Sequence, residues 1–398
     1  MKYASIVPLI GGETIAMENA FGKRPEYILS YEPFQHNDLH IVNHYKGEVP
    51  YHLLDGDNSS SNYPYVDVVN TVCPCAGLSS LSPSASSTNS ANDWMFVTSE
   101  YVLGTMAPRV FWGENAPRLA SKMGEPVVQR LRKIGEKYGY TFTIYKTKSI
   151  LHGLSQVRDR TFYFFWKDDR VPVFEYIERV HEKIEETIRS VKRDPDDPMS
   201  KVLTNSRVPS ENPFYRYVLE EIEGGITHKE FSAKIERTTN PLDYIESKGI
   251  KYRKVAEWME EHGYEREAAK CKRMHDKLAS GGNIMRKNTE IPKNFIGAFV
   301  GHMPTSIAHP DEDRYLTIRE AMSIMKLPED FQLSGGLKNL NHICQNVPVT
   351  TATDMANQVK KYLDNELDSI DTNFMIQDNK TKTLNYEQIG VQLDQFMV

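Results

Sequence analysis

Apolar and polar positions change between a strand-like and a helix-like pattern along the first third of the chain. Apolar runs at residues 3–10 and 27–31 predict strands, and the stretches that follow them, 13–20 and 37–45, predict helices. Strands that alternate with helices favour a parallel sheet covered by helices. We therefore expect an α/β fold, with ligands bound beyond the carboxyl ends of its strands.

The same alternation continues as far as residue 166. Residues 65–69, 109–112, 141–146 and 160–166 predict further strands, and 125–138 predicts an amphipathic helix. Between the first two of these strands lies a loop rich in Ser, Asn and Thr. It is either a disordered surface loop or a mobile lid over a site.

The composition changes after residue 166. Residues 167 to about 300 are charged, helix-rich and interrupted by Pro and Gly, with clear breaks at 193–198 and 280–282. This region predicts an inserted or second domain. The tail from about residue 365 is acidic and rich in Asn, with few residues that would form a core.

Composition restricts the class of protein. With 398 residues, 39% hydrophobic and 26% charged, the chain is typical of a soluble globular protein of more than one domain. No stretch approaches the roughly 20 apolar residues of a membrane span, and no signal peptide is evident. Four scattered cysteines indicate a reducing compartment, so we expect a cytoplasmic protein without membrane contact.

Net charge does not decide whether a polyanion binds. The overall charge is −6, but residues 266–293 carry a clear excess of Lys and Arg. These side chains are either a solvated helix face followed by a polar loop or a local surface for phosphate.

Two patterns suggest metal ligands but do not support a metal site. Cys73 and Cys75 form a Cys-x-Cys pair, whereas a structural zinc site needs a second clustered pair, which is absent from the sequence. His36, His40 and His44 share one helix face, but the third imidazole cannot readily reach the same ion. We expect no metal, and a half-exposed helix face for the histidines.

Candidate chemistry is found where strands end. Cys75 follows a buried strand in Cys73-Pro74-Cys75, Glu114 follows the next one, and Arg158 and Arg160 flank the start of the last. Each has an ordinary structural explanation, namely a buried thiol, a helix cap or a surface ion pair. A thiol nucleophile, a carboxyl group and paired arginines in this order suit covalent attack on a flat heterocycle.

This order of motifs resembles the DNA (cytosine-5)-methyltransferase family of bacteria and phages. The resemblance covers about residues 3–166 and 308–363, and includes His309-Pro310 and the segment 343–349. It implies a Rossmann-like, S-adenosylmethionine-dependent methyltransferase domain, a mostly parallel sheet with helices on both faces. That domain would be split into 1–166 and 308–398, around a helix-rich target-recognition domain at 167–307.

The resemblance also implies the catalytic roles. Cys75 would add to C6 of cytosine, Glu114 would neutralise the charge that builds at N3, and Arg160, with Arg158 beside it, would hold O2. The target base would be rotated out of duplex DNA into the site.

S-Adenosylmethionine is the implied cofactor. Gly11 and Gly12 would meet its methionine part, Glu32 its ribose hydroxyls, and Asp55 or Asp57 its adenine amino group, although turn chemistry equally explains both motifs. The full set of predicted cofactor-binding residues is Ile10, Gly11, Gly12, Glu32, Asp55, Asp57, Pro74, Asn346 and Val347.

Duplex DNA is the implied partner, bound by an enzyme acting as a monomer in a bacterial or phage-infected cell. The Ser-rich loop would close behind the rotated base, and the basic stretch would contact phosphates. The predicted DNA-binding residues are Ser79, Ser80, Ser82, Lys270, Arg273, Arg286 and Lys287.

Two other functions remain open at this stage. One is an RNA cytosine-5 methyltransferase, against which the large insert argues. The other is an inactive DNA-binding relative, suggested by departures in the cofactor pocket: Leu9 stands where the family usually has Gly, and Cys344-Gln345 where it usually has Gly-Asn. The intact thiol, carboxyl and arginines argue for an active enzyme.

Overall fold

A computed structural model of the chain describes residues 1–54, 63–74, 76–79, 82–204, 207–284, 289–301 and 303–380. It divides into two compact units. The first consists of residues 1–181, 325–335 and those from 342 onward, and the second of 182–324 and 336–341. The division into catalytic and target-recognition domains, predicted at 166/167 and 307/308, stays a prediction about function.

Six predicted site residues lie outside the described residues. They are Asp55, Asp57, Cys75, Ser80, Arg286 and Lys287.

An eight-stranded sheet forms the centre of the first unit. Its strands follow the order β10-β6-β7-β5-β4-β1-β2-β3, and all pair in parallel except β7, which is antiparallel to both neighbours. A separate antiparallel pair joins β8 to β9. The strands are β1 Tyr3–Ile6, β2 Ile28–Ser30, β3 Tyr51–Leu53, β4 Val68–Thr71, β5 Val110–Asn115, β6 Thr141–Lys148, β7 Asp159–Trp166, β8 Val171–Pro172, β9 Ser369–Ile370 and β10 Phe374–Asp378. The predicted α/β architecture is confirmed.

Helices α1–α4 and α12 belong to the first unit, and α5–α11 to the second. The helices are α1 Gly12–Phe21, α2 Gln35–His44, α3 Asp93–Tyr101, α4 Glu125–Tyr138, α5 Ile184–Arg189, α6 Pro213–Tyr217, α7 His228–Lys234, α8 Pro241–Ser247, α9 Tyr252–Glu261, α10 Glu265–Ala279, α11 Ile318–Ile324 and α12 Val349–Leu363. Within the described residues, no helix combines the length and apolar character that crossing a membrane requires.

The clearest amphipathic pattern gives the most accurate prediction. Helix α4 has the predicted bounds, because Pro126 opens it, Gly139 ends it in a left-handed conformation, and Leu131 and Ile134 lie on its buried face.

Helix α3 was not predicted, since the consecutive apolar residues at 94–97 show no helical period. Strand β10 lies in a segment whose polar composition gives no strand signal, yet Met375 is buried in the sheet.

Both faces of the sheet are covered. Residues 162–166 of β7 are all fully buried, although successive side chains in a strand point to opposite faces. On one face Phe165 stacks on Phe111, with ring centroids 5.6 Å apart, and on the other Phe164 stacks on Trp112 at 6.0 Å. Apolar side chains therefore hold the central strands from both sides, which keeps the strand ends in fixed positions.

The second unit has a helical core of its own. Helices α9 and α10 pack together, burying Val255, Met259 and Cys271. Thr227 and Glu230 form a capping box that starts α7. The buried face of α10 leaves its basic side chains directed to the surface, because charged and apolar positions alternate with the helical period.

Candidate active site

The loop between β1 and α1 has an unusual backbone. Val7 and Leu9 have φ of 51°, and Gly11 has φ of 98°. This left-handed conformation costs a non-glycine residue about 1–2 kcal/mol. The prediction that β1 reaches Ile10 is therefore wrong at its end. Gly11 has a second reason to be glycine, since an added Cβ would lie 2.5 Å from the Cβ of Ile41.

Asp38 supports this loop, a role that the sequence did not reveal. It is fully buried on α2, its carboxyl group accepts a hydrogen bond from the Tyr51 hydroxyl at 2.9 Å, and the backbone amide of Leu9 favours its charged form. Burial raises the pKa of Asp38 to about 7, and these interactions oppose that rise. Asp38 thus interacts with the amide of one of the two strained residues.

The start of α1 meets the segment before α12, as the predicted cofactor residues require. An added Cβ on Gly12 would lie 3.2 Å from the Cβ of Asn346 and 3.4 Å from the carbonyl oxygen of Val347. Asn346 Nδ2 donates a hydrogen bond to Oε2 of Glu13. Ile10 is buried and, with Gly11, directly precedes Gly12 in the chain. The structure therefore brings Gly12 together with Asn346 and Val347.

Glu13 is a member of this cluster that the sequence analysis missed. An acidic residue in the first turn of a helix is common, because it opposes the positive end of the helix dipole, so it attracted no attention. Here the side chain is fully buried. Burial, and next the negative charge of Glu114, raise the pKa of Glu13 to about 8, while the hydrogen bond from Asn346 and the nearby amides of Glu13 and Val347 oppose the rise.

Glu114 lies near the carboxyl end of β5, buried and paired with an arginine. Arg160 Nε is 3.3 Å from Glu114 Oε2. Burial raises the pKa of the Glu114 carboxyl group, and the positive charges of Arg160 and then Arg158 partly oppose this. The combination is a carboxylic acid that retains its proton to higher pH than an exposed glutamate, next to a guanidinium group.

The two predicted arginines lie in this corner but have different contacts. Arg158 is fully buried and donates from Nη2 to the carbonyl oxygen of Cys344 at 2.6 Å. Arg160 donates from Nη1 to the carbonyl oxygen of Asp159 at 2.8 Å. Arg158 thus ties the segment before Asn346 to the strand that carries Arg160.

The strand before the predicted nucleophile is tightly packed. Cys73 is buried with its Sγ 3.6 Å from Thr71 Oγ1, and burial raises the pKa of its thiol, which makes it a poor nucleophile. Pro74 follows and is half-buried. On the adjacent strand, an added Cβ on Gly113 would lie 2.5 Å from Tyr163 Oη. The side chains of Tyr163 and Thr71 therefore occupy the space over Gly113.

The described part of the Ser-rich loop folds on itself. Asn92 donates from Nδ2 to the carbonyl oxygens of Ser86 at 3.0 Å and Ser87 at 3.2 Å. The predicted DNA-binding residues make local contacts here. The Ser79 carbonyl oxygen accepts from Arg118 Nη1 at 3.4 Å, and Ser82 Oγ lies 3.1 Å from Ser84 Oγ.

Glu32 stands apart from the buried cluster. It is exposed at the start of a short 3-10 turn directly after β2. This is the carboxyl end of a parallel strand, where the sequence predicts a ribose contact.

The histidines of α2 were expected to lie on a half-exposed helix face, and this prediction is wrong for His40. His40 is fully buried, its Nε2 lies 2.8 Å from His342 Nδ1, and its Nδ1 accepts from the Ser334 amide at 3.0 Å. His36 is exposed and His44 half-buried. Across the described ranges, no group of three or more His, Cys, Asp or Glu side chains is arranged to hold a metal ion.

A basic groove lies in the second unit. It has a volume of about 670 Å³ and includes the predicted Lys270 and Arg273, together with Arg207 and Arg266. The Lys270 ammonium lies 5.1 Å from the ring centroid of Phe214. We call it the α10 groove; its lining residues are Arg207, Val208, Glu211, Asn212, Pro213, Phe214, Arg266, Glu267, Lys270, Arg273 and Tyr315.

Solved structures with the same fold are known. A DNA modification methyltransferase encoded within an E. coli prophage superposes with a TM-score of 0.59 at 13% identity, over 92% of this chain and 99% of that one. A methyltransferase from Entamoeba histolytica gives a TM-score of 0.52 at 13% identity, over 91% and 98%. At this identity the likeness shows the fold alone, which is the predicted Rossmann-like methyltransferase fold.

A comparison with curated protein sequences finds no match. A family model for C-5 cytosine-specific DNA methylases, in contrast, matches residues 1–361. This range includes the β1–α1 loop, Asn346 and all described residues of the second unit. The resemblance stated from the motifs is confirmed, and the family implies a methyl donor. The chain belongs to the C-5 cytosine-specific DNA methylase family.

Proposed function

We propose that the chain transfers a methyl group from S-adenosylmethionine to C5 of cytosine in duplex DNA, through a covalent bond between Cys75 and C6 of a base rotated out of the helix. One observation carries the proposal beyond family membership. Glu114 is a buried carboxylic acid that touches Arg160 and borders the cluster of Gly12, Glu13 and Asn346.

The chemistry requires an acid at the ring as well as a nucleophile. C5 of cytosine is a poor nucleophile until a thiolate adds to C6 and converts C4–C5 into an enamine. Glu114 gives its proton to N3 as the Cys75 sulfur adds, so that negative charge does not build up in the ring. The roles of Cys75 and of the arginine at O2 rest on the resemblance of motifs.

The environment of Glu114 suits this step. A general acid must hold its proton near the working pH, and burial raises the pKa of Glu114 in that direction. Arg160 opposes the rise and so keeps the carboxylate that remains after proton transfer from being an isolated buried charge. Methyl transfer to C5 would leave S-adenosylhomocysteine; water acting as base would then take the C5 proton, N3 would return its proton to the Glu114 carboxylate, and departure of the Cys75 thiolate would release the product.

The buried cluster fits a methyl donor. S-Adenosylmethionine supplies a methyl group on a positively charged sulfur. Gly11 and Gly12 let the turn pack directly against Ile41 and Asn346, and two buried atoms beside it, Glu13 Oε1 and Asn346 Oδ1, have no hydrogen-bond partner. With Ile10 and Val347 these residues would hold the methionine part of the donor, and Glu32 at the end of β2 its ribose.

The second unit would serve recognition of DNA. The α10 groove presents Arg207, Arg266, Lys270 and Arg273 against two carboxylates, a suitable surface for phosphates. Ser79 and Ser82, in the loop after Cys75, would close behind the rotated base. The predicted contacts of Asp55, Asp57, Ser80, Arg286 and Lys287 are proposed on the resemblance alone.

A paired cysteine exchange tests the proposed function. Cys75→Ser should still bind duplex DNA but lose transfer of a labelled methyl group from S-adenosylmethionine, because a hydroxyl is a far weaker nucleophile than a thiolate. Cys73→Ser, two residues away and buried beside Thr71, is the matched control and should keep activity. Undiminished methylation by Cys75→Ser would contradict the mechanism.

The substrate is tested in the same assay. Duplex DNA and transfer RNA are offered at equal concentrations, and bisulfite sequencing identifies the modified cytosines. Methylation of duplex DNA is expected. Preference for transfer RNA would replace the proposed substrate by RNA, and failure to bind S-adenosylmethionine would indicate an inactive relative.

A further inference from the structure

Glu13 has an oxygen that the protein leaves without a partner. Its side chain is fully buried at the start of α1, where Oε2 accepts a hydrogen bond from Asn346 and Oε1 has no hydrogen-bond partner. The amides of Glu13 and Val347 lie close enough to favour the charged carboxylate. An unpaired buried carboxylate oxygen is unfavourable, by about 1–3 kcal/mol. This position therefore indicates a site for a donor or a cation.

The nearby cations of the protein are engaged elsewhere. Arg160 pairs with Glu114, and Arg158 donates to the Cys344 carbonyl oxygen while also acting on Glu114. Among the described residues Glu13 takes part in no ion pair, and the charge on a neighbouring element that acts on it is the negative one of Glu114 on β5. A positive partner for Glu13 would therefore come from a ligand.

We propose that Glu13 binds the positively charged methionine part of S-adenosylmethionine, with its carboxylate paired to the sulfonium or the α-ammonium group. The inference rests on the proposed function and names a binding residue for its donor. Two observations favour this end of the donor. Glu13 directly follows the Gly11–Gly12 turn, and it interacts with Glu114, which is proposed to act on the base that receives the methyl group. The donor's charged, reacting end must lie between these two places.

Proton release is the measurable consequence. Burial raises the pKa of Glu13 to about 8, so the group is mostly protonated at pH 7. A bound cation favours the carboxylate and lowers this pKa, so that binding at pH 7 should release roughly nine-tenths of a proton. At pH 9 Glu13 is already ionised before binding, and the release attributable to it should be small. Affinity should accordingly rise between pH 6 and pH 8.

Isothermal titration calorimetry tests the proposal. Binding of S-adenosylmethionine is measured at pH 7 in several buffers that differ in ionisation enthalpy. The slope of the observed binding enthalpy against the buffer ionisation enthalpy gives the number of protons released. Wild type should release close to one proton, whereas Glu13→Gln should release almost none and bind about tenfold more weakly, since the substitution removes a charge-assisted hydrogen bond. Glu18→Gln, on the same helix α1, is the matched control and should behave as wild type.

The demethylated product, S-adenosylhomocysteine, has the α-ammonium group but no sulfonium. Its binding therefore shows which of these two groups pairs with Glu13. Release with both ligands assigns Glu13 to the α-ammonium group, and release with S-adenosylmethionine alone assigns it to the sulfonium; both support the proposal. Equal proton release by wild type and a folded Glu13→Gln, verified by circular dichroism, would overturn it.

The outcomes separate this inference from the proposed function. If wild type methylates duplex DNA but Glu13→Gln releases as many protons, the inference about Glu13 alone fails. If wild type binds S-adenosylmethionine with proton release at Glu13 but methylates no nucleic acid, the proposed function fails. A wild type that does not bind S-adenosylmethionine contradicts both.

Discussion

Asn346 donates a hydrogen bond from its side-chain amide to the carboxyl group of Glu13, across 333 positions of sequence. Both side chains are buried, and each has a further oxygen without a hydrogen-bond partner. The contact lies beside the Gly11–Gly12 turn and joins the two parts of the first unit that the sequence separates.

Removal of the Asn346 amide should therefore affect both stability and donor binding. In Asn346→Ala the Oε2 atom of Glu13 also loses its partner, which we expect to destabilise the fold by about 1–3 kcal/mol. Thermal unfolding and calorimetric titration with S-adenosylmethionine measure the two effects. Asn43→Ala, which removes an exposed hydrogen bond of 2.9 Å to Ser334, is the control and should change neither by a comparable amount.

Glu114→Gln should abolish the proton donor while keeping its shape. We expect the rate of methyl transfer to fall by about 10²- to 10⁴-fold, the usual contribution of a general acid. Binding of the methyl donor should change little. Single-turnover transfer into duplex DNA is the measurement, with Glu136→Gln on α4 as control. A variant that retained the wild-type rate would show that Glu114 is not the acid.

The α10 groove predicts the salt dependence of DNA binding. The double variant Lys270→Ala/Arg273→Ala should bind duplex DNA more weakly. The slope of the logarithm of its DNA association constant against the logarithm of salt concentration should be smaller by about 0.9 for each phosphate that it no longer neutralises. Arg253→Ala with Lys254→Ala, an exposed pair on α9 outside the groove, is the matched control. Fluorescence anisotropy at several salt concentrations measures both. Identical slopes for the two double variants would exclude the groove from DNA binding.

His40 predicts a loss of stability in acid. Because its Nδ1 accepts from the Ser334 amide, its Nε2–H donates to His342, and both rings must be neutral. Burial, followed by the neighbouring histidines, lowers the pKa of His40 from 6.5 to about 4.

As the pH falls, the unfolded chain therefore takes up a proton on His40 before the folded chain does. The free energy of unfolding decreases as the pH decreases from 6.5 towards 4. The full effect is about 3 kcal/mol. Urea unfolding at pH 7 and pH 5 should show a smaller decrease for His40→Asn than for wild type, relative to their values at pH 7. His36→Asn, exposed on the same helix, should retain the wild-type dependence.

Gly113→Ala tests the packing of side chains over the central strand β5. The new methyl group would lie 2.5 Å from Tyr163 Oη and 2.7 Å from Thr71 Cγ2, so these two buried side chains would have to move. We expect destabilisation of about 1–3 kcal/mol, which urea unfolding measures. At Gly297 nothing lies within 4 Å of an added Cβ, and Gly297→Ala should stay within about 0.5 kcal/mol of wild type.

Elements with a strong local period, and the order of the chemical motifs, could be predicted from the sequence. Helix α4 has its predicted bounds, and Glu114, Arg158 and Arg160 lie at strand ends, as predicted. Such signals are local, since the period of apolar residues is present in a short window. Of the predicted cofactor residues, Gly12 and Asn346 are brought into contact.

Which polar groups are buried, and which groups they face, could not be predicted from the sequence. Glu13 has the sequence context of an ordinary helix start, and Asp38 that of a polar helix position, yet both are enclosed by segments distant in sequence. Arg207 likewise joins Lys270 in the α10 groove. Burial depends on packing between remote segments, and it is burial that raises the pKa of a carboxyl group and distinguishes Glu13 from an ordinary charge at a helix start.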